Sequence, residues 1–258
     1  MFRRHKDEAE AQKRIAEDLL SSGLRQGGVV LVHSSLRSMG RVPGGPETVI
    51  RGLLDALGPE GTLLLPALSY NYVTISRPYF DVLRTPSNVG AIPEHFRTRK
   101  GSMRSVNPTH SVCGIGPLAG EMLGSHHLDE TPCGPRSPFR SLRDHAGQIL
   151  LLGCGMYPNT SMHGVEETVL PPYLFGQTVT YRIVLDDRTQ TTMRCRRHGF
   201  AGWRQRYDRL AGLLEGDELK TGNVLDATTH IVETPPMWEK AAAAIRRQPY
   251  FFVEQRIG

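Results

Sequence analysis

The chain has 258 residues, with 31 Lys+Arg against 26 Asp+Glu, a formal net charge of +5 and 39% hydrophobic residues. At roughly 100–200 residues per domain it is long enough to bury one sizeable core without disulfide staples, and its longest apolar runs, 62–68 and 149–152, fall far short of the roughly 20 residues that span a bilayer. The arginines are interleaved with acidic residues rather than gathered into a stripe, which excludes a nucleic-acid partner and leaves room for a small anionic ligand.

Residues 7–24 alternate charged positions with Ala9, Ala11, Ile15, Leu19 and Leu20 near the 3.6-residue period of an amphipathic helix, which Gly23 ends. Residues 29–32 (VVLV) form the continuous β-branched run of a strand covered on both faces, ending at His33-Ser34-Ser35. Residues 46–57 read as a helix with Pro46 in its first turn, and 62–65 as a second buried strand. Such a βαβ unit builds a parallel sheet with ligand sites at the carboxyl ends of its strands. Residues 70–89 show no period and carry Pro78 and Pro86, which predicts a long, functional loop. Helices are expected over 89–97, 117–123 and 137–145, and a buried strand over 148–152. An antiparallel pair follows at 177–184 and 189–196, then helices at 203–214 and 236–247 and a short last strand at 250–253. One α/β domain over 1–258, with a central mixed, largely parallel β-sheet flanked by helices, is the expected fold.

Four segments could carry chemistry. The loop 33–45 (HSSLRSMGRVPGG) places Ser34, Ser35, Ser38, Arg37 and Arg41 ahead of a helix N-terminus, where hydroxyls, guanidiniums and backbone N–H groups can bind phosphate. Its spacing matches neither GxGxxG nor GxxxxGK[ST], and the bland reading is a turn whose serines cap backbone groups. His110, in RSVNPTHS, stands at a loop-to-strand junction, where a lone histidine is more often a hydrogen-bonded structural group than a catalyst.

In NTSMHGVEE (159–167), Thr160 or Ser161 as a helix cap would put His163 in the first turn and Glu166 and Glu167 one turn on. An imidazole there suits general base catalysis because it titrates near neutrality, although the glutamates could simply stabilise the helix start. Cys195-Arg196-Arg197-His198, at a strand end, offers either a partner for that base or a solvated terminus. The zinc signature HExxH is absent, and Cys113, Cys133, Cys154 and Cys195 lie 20 or more residues apart without a CxxC, so no metal is expected and the cysteines read as buried free thiols.

Taken in order, HSSLRSMGRVPGGPETVI (33–50), ALGPEGTLLLPALS (56–69), TPSNVGAIPEHFR (85–97), RSVNPTHSVCGIGPLA (104–119), GPRSPFRSL (134–142) and ILLLGCGMYPNTSMHGVEE (149–167) resemble the aminoglycoside 3-N-acetyltransferase family. These antibiotic N-acetyltransferases use acetyl-coenzyme A and do not have the GNAT fold. The resemblance implies acetyl transfer from a thioester to an amine and a coenzyme A site built from Ser34, Ser35, Leu36, Arg37, Ser38, Arg41 and Val42, with Ser105 beside it. It implies His163 as the base, with Glu166 in the same local site; either His110 or His198 is the further catalytic residue that would support that histidine.

Aminoglycoside-modifying members place a glutamate at the end of a later strand, where this chain has His198, and an aspartate soon after the second strand, where it has Ser69-Tyr70-Asn71-Tyr72. With Tyr70, Asn71, Tyr72 and Asp81 as the acceptor contacts, and Arg77 and Arg84 in the same loop, a less cationic amine than an aminoglycoside is expected, such as an amino sugar or related small molecule.

Competing readings are a non-catalytic coenzyme A or nucleotide-binding protein, a metal hydrolase using His163, Glu166 and His198, and a ping-pong route through Cys113 or Cys154. The amino-terminal segment lacks the apolar stretch of a secretory signal, so a cytoplasmic protein is expected, with no membrane partner and its oligomeric state open.

Overall fold

In the computed structural model, which describes residues 2–200 and 202–256, the chain begins with α1 (Phe2–Ser21), β1 (Val29–Ser34), α2 (Pro46–Leu57) and β2 (Thr62–Pro66). The short strand β3 (Tyr79–Asp81), α3 (Ala91–Thr98), β4 (Met103–Arg104), β5 (Val112–Ile115), α4 (Ala119–Gly124), α5 (Pro138–Asp144), β6 (Gln148–Leu152) and α6 (Ser161–Val169) follow. The last third holds β7 (Phe175–Val184), β8 (Gln190–His198), β9 (Trp203–Gln205), β10 (Leu219–Val224), β11 (Ala227–Glu233), α7 (Thr234–Arg247) and β12 (Val253–Gln255). Among the described residues no helix is long and apolar enough to cross a membrane.

The central sheet has seven strands in the order β10-β11-β6-β1-β2-β5-β4. β1 pairs in parallel with both β2 and β6, whereas β5 and β11 run antiparallel to their neighbours, so the sheet is mixed and five of its seven strands point the same way. The period of two explains why runs such as VVLV are apolar throughout. Val29 and Leu31 face the core beneath α5, α6 and α7, while Val30 and Val32 face the one beneath α1, α2 and α3. Ile149 and Leu151 alternate with Leu150 and Leu152 in the same way. Each such fully buried side chain contributes about 1.5–3 kcal/mol relative to exposure.

Two smaller sheets lie outside this frame: β3-β7-β8, and β9 with β12. The expected loop at 70–89 therefore carries one strand, because Tyr79–Asp81 pairs in parallel with Arg182–Val184. The helix expected over 203–214 is replaced by strand β9 and a 3-10 turn, Tyr207–Gly212. Its periodic apolar residues Tyr207, Leu210 and Leu214 are buried as expected, but the Arg206 amide is spent on Phe252 O and Trp203–Gln205 pair with Val253–Gln255. For the same reason the last strand begins at Val253 rather than Tyr250.

Candidate active site

Because β1, β2 and β6 are parallel, their carboxyl ends share one edge of the sheet, and a cavity of about 500 Å³ opens there. His33 and Ser34 reach it from the end of β1, Leu68 from beyond β2, Thr109 and His110 from the loop before β5, and Thr160 and His163 from the start of α6. His198 at the end of β8 and Tyr207 close it from the carboxy-terminal third.

His163 and Glu166 stand one turn apart on α6, with Nδ1 3.1 Å from Glu166 Oε2. The helix start is capped by the buried Asn159, whose Oδ1 accepts the Ser161 amide, and Thr160 makes no side-chain cap. Glu166 is completely buried: Tyr173 donates its hydroxyl to Oε1 at 2.8 Å and Tyr207 donates to Oε2 at 2.7 Å. The Tyr207 oxygen also lies 2.8 Å from His163 Nδ1. With Tyr207 O–H spent on the carboxylate, Nδ1 is the protonated nitrogen of His163 and donates toward Tyr207 Oη and Glu166 Oε2. That tautomer leaves Nε2 with a free lone pair.

A second pair stands beside the first. His198 Nε2 donates to Glu167 Oε1 at 2.7 Å, and Glu167 also accepts Thr131 Oγ1 and the Cys133 amide. Burial, with His163 adjacent, holds the His198 imidazole well below its usual range, and burial pushes Glu167 up. His110 completes a cluster with ring centroids 5.0 Å from His198 and 5.5 Å from His163, while His163 and His198 are 4.9 Å apart. Its Nδ1 is engaged by Thr109 Oγ1, and burial ahead of the neighbouring histidines keeps it neutral. Burial, then His163, likewise lowers His33 to about 3. Neutral imidazoles therefore surround one base.

Among the described residues two groups of donors could hold a cation: His110, His163 and His198, and Cys133, Glu167 and His198, with the donor atoms of each set within 4.8 Å of one another. Tetrahedral zinc with bonds of about 2.0–2.1 Å brings its donors to roughly 3.3 Å. In the first group one nitrogen of each ring is already engaged. In the second, burial first and then Glu167 and Glu166 hold the Cys133 thiol well above its usual range.

The loop after β1 lines a second hollow of about 550 Å³, bordered by Ser34, Ser35, Leu36, Arg37 and Val42. Gly45 and Gly90, the N-caps of α2 and α3, also border it, and neither helix start has a side-chain cap. Both glycines have positive φ, 60° and 119°, so the backbone there is closed to most side chains, and no side-chain cap occupies the N–H groups at the two helix starts, which in α2 begin with Glu47 because Pro46 has none. Ser38 donates to Ser35 Oγ at 2.9 Å, and Arg37 and Arg41 are exposed, Arg41 outside the lining. Ser34 lines both hollows, and its buried Oγ has no internal partner.

Other expected contacts stand apart from this centre. Ser105 is buried, with its Oγ 2.9 Å from His126 Nδ1 and accepting the Val112 amide, so its hydroxyl is occupied inside the core. Asp81 accepts the Leu83 and Arg84 amides and pairs with the Arg84 guanidinium; with Tyr72 it borders a separate surface hollow. The Asn71 amide donates to Asn88 Oδ1, and only Tyr70 of that tripeptide lines the main cavity. Tyr173 and Tyr207, which bond to Glu166, are additions that sequence spacing did not single out. Cys154 lines the cavity, but burial pushes its thiol up to about 12, and Cys113 is held at about 11 by burial.

A mixed, largely parallel α/β sheet flanked by helices is the fold of the solved aminoglycoside acetyltransferases. Residues 31–246 match the model of the aminoglycoside 3-N-acetyltransferase family, and the chain belongs to that family. It is 34% identical over 172 residues to aminoglycoside N(3)-acetyltransferase IX of Micromonospora chalcea, covering 60% of this chain and 61% of that relative, so the chain spans about three fifths of the relative's length. It is 31% identical over 241 residues to aminoglycoside N(3)-acetyltransferase IV of a Salmonella species, covering 91% and 87% of the two chains. A solved structure of aminoglycoside acetyltransferase AAC(3)-IVa in complex with a gentamicin superposes with a TM-score of 0.79 at 29% identity, covering 92% of this chain and 89% of that one.

Proposed function

We propose that the protein transfers an acetyl group from acetyl-coenzyme A directly to a primary amine of an aminoglycoside, amino sugar or related small molecule, with His163 as general base. The observation that carries this reading is the meeting of two hollows at Ser34: one offers uncapped helix N-termini and Arg37 to phosphates, the other holds the free Nε2 of His163. Family membership supplies the acetyl donor, and the relatives named above are aminoglycoside acetyltransferases.

The coenzyme phosphates would lie against the 33–45 loop and the starts of α2 and α3, and the thioester would pass Ser34 into the cavity. The acceptor ammonium first gives one proton to solvent to become a nucleophile, and a second must leave the nitrogen as the amide forms. Nε2 takes it as nitrogen bonds to the carbonyl carbon, and Glu166 with Tyr207 stabilises the resulting imidazolium through Nδ1. The carbonyl oxygen becomes an oxyanion, for which Ser34 Oγ is an unspent donor at the junction. Collapse breaks the carbon–sulfur bond, and the proton on His163 passes to the leaving thiolate. Cys154 takes no part, because a thiol held at about 12 is not a thiolate near neutrality.

A histidine base typically contributes about 10²–10⁴-fold, so His163→Ala should lower kcat on that order while the coenzyme A dissociation constant changes by less than about threefold. Thiol release with a panel of primary amines measures the first and calorimetry the second. Near-normal turnover would remove His163 from the mechanism, and coenzyme A binding without any turnover in the native protein would favour a non-catalytic binder.

A further inference from the structure

The wall of the main cavity contains no Asp or Glu among the described residues. Glu166 and Glu167, the carboxylates nearest the chemistry, are buried behind His163 and His198, and their charge is consumed by Tyr173, Tyr207, Thr131 and the Cys133 amide. Two arginines do line the cavity, Arg197 and Arg256. Arg197 is half-buried, its Nη1 donating to Val73 O at 3.0 Å and to Tyr181 Oη at 3.3 Å, and Arg256 is fixed through Nε to Trp203 O at 3.1 Å. Among the described residues neither makes an ion pair, although other arginines, such as Arg84, Arg97, Arg206 and Arg209, do.

Fixed guanidiniums with unspent N–H groups, facing a concave space in which burial keeps His33, His110 and His198 neutral, give the cavity a positive potential. A polycation would enter against that field, and each of its ammonium groups beyond the reacting one would lose water without gaining a carboxylate. An acceptor bearing an anion finds the reverse. Arg197 and His163 line the same cavity, so an anion on Arg197 and an amine at Nε2 can belong to one small molecule.

We infer that the preferred acceptor is a primary amine that also carries an acidic group, recognised by Arg197 with Arg256 at the rim, and not a polycationic aminoglycoside. This rests on the transferase reading above, whose failure the experiment separates from its own.

The test compares kcat/KM for glucosamine, glucosamine 6-phosphate, muramic acid and gentamicin, with saturating acetyl-coenzyme A, in the native protein and in Arg197→Gln and Arg197→Lys. A charge-assisted contact predicts a preference of about ten- to a hundredfold for an acidic amine over glucosamine, with the phosphate and carboxylate probes telling which acid fits. Gentamicin should be the poorest of the four. Arg197→Gln should raise KM for the acidic amine more than for glucosamine, with Arg197→Lys intermediate. Higher kcat/KM for gentamicin than for both acidic amines, or an equal loss for every amine in Arg197→Gln, would overturn the inference.

If no amine is acetylated, the transferase reading fails and the anion site is judged by calorimetry alone. Glucosamine 6-phosphate or muramic acid should then bind at least tenfold more tightly than glucosamine and lose that advantage in Arg197→Gln. Equal affinities would refute it.

Discussion

Replacing Glu166 by Gln changes charge while keeping shape, at a position with no solvent exposure. Three groups converge on this carboxylate: Tyr207 at 2.7 Å, Tyr173 at 2.8 Å and His163 Nδ1 at 3.1 Å. Bonds to a charged acceptor are worth about 1.5–3 kcal/mol net and neutral ones about 0.5–1.5, so the amide forfeits roughly 1 kcal/mol per contact. The buried charge it removes carries a desolvation penalty of its own, which offsets part of that loss. A net destabilisation of about 1–3 kcal/mol should lower Tm by roughly 2–10 °C in a chain of this size. Turnover should suffer far more. The imidazolium formed in the transition state loses its counter-charge, and an amide N–H turned toward Nδ1 favours the tautomer whose Nε2 is already protonated. We expect kcat to fall by about 10²–10⁴-fold with little change in the coenzyme A dissociation constant, measured by thiol release, calorimetry and thermal melting. A Glu166→Gln protein that melts near the native temperature and turns over within about threefold of native would refute this reasoning.

Unfolding should take up protons in mild acid. His33, His110, His126 and His198 are all held below their usual range by burial, His33 at about 3 and His126 at about 4, so below pH 6.5 the unfolded chain binds about four protons that the folded one refuses. Asp129, raised to about 6 by burial, and Glu167, also raised by burial, act in the opposite sense because the folded state protonates them first. Even if Glu167 takes up a whole proton, the net uptake is at least about two protons and predicts a loss of at least roughly 2.5 kcal/mol per pH unit near pH 5.5, read from urea denaturation at pH 7 and pH 5.5; equal stabilities would contradict it. Gly90→Ala forces a side chain onto a backbone at φ 119° beside Ser34 O, and should weaken coenzyme A binding about tenfold by calorimetry, with an unchanged constant counting against the hollow as the phosphate site. Incubation with acetyl-coenzyme A alone should leave Cys113 and Cys154 unmodified by mass spectrometry, and an acetyl-cysteine would restore the ping-pong route.

The central frame was legible because continuous apolar runs at 29–32, 62–65 and 148–152 have no stable fate except strands covered on both faces, and Pro46 and Gly58 bracket a helix unmistakably. The carboxy-terminal third was harder. In Trp203–Leu214 the apolar period is real, yet β12 competes for the backbone and leaves only a 3-10 turn. The β10–β11 hairpin turns at Leu225, in a left-handed conformation with φ 52°, which local residue preference does not announce.

The site followed the same division. His163 with Glu166 was readable from helical spacing, whereas Tyr173 and Tyr207 reach that glutamate from 7 and 41 residues away through tertiary packing. Ser105 and Asp81 were expected as coenzyme and acceptor contacts alongside the family resemblance, but their hydrogen bonds are spent on His126, Val112 and the Leu83–Arg84 turn. His198 meets Glu167 because β8 ends over α6, a closure no motif spacing encodes.

The most direct measurement is a crystal structure with coenzyme A bound. Its pyrophosphate should lie against Gly45 and Gly90, its pantetheine arm should pass Ser34, and its sulfur should stand roughly 6 Å from His163 Nε2, leaving two contacts of about 3 Å for an amine nitrogen between them. A sulfur on the far side of the 33–45 loop, with no passage to His163, would contradict this placement.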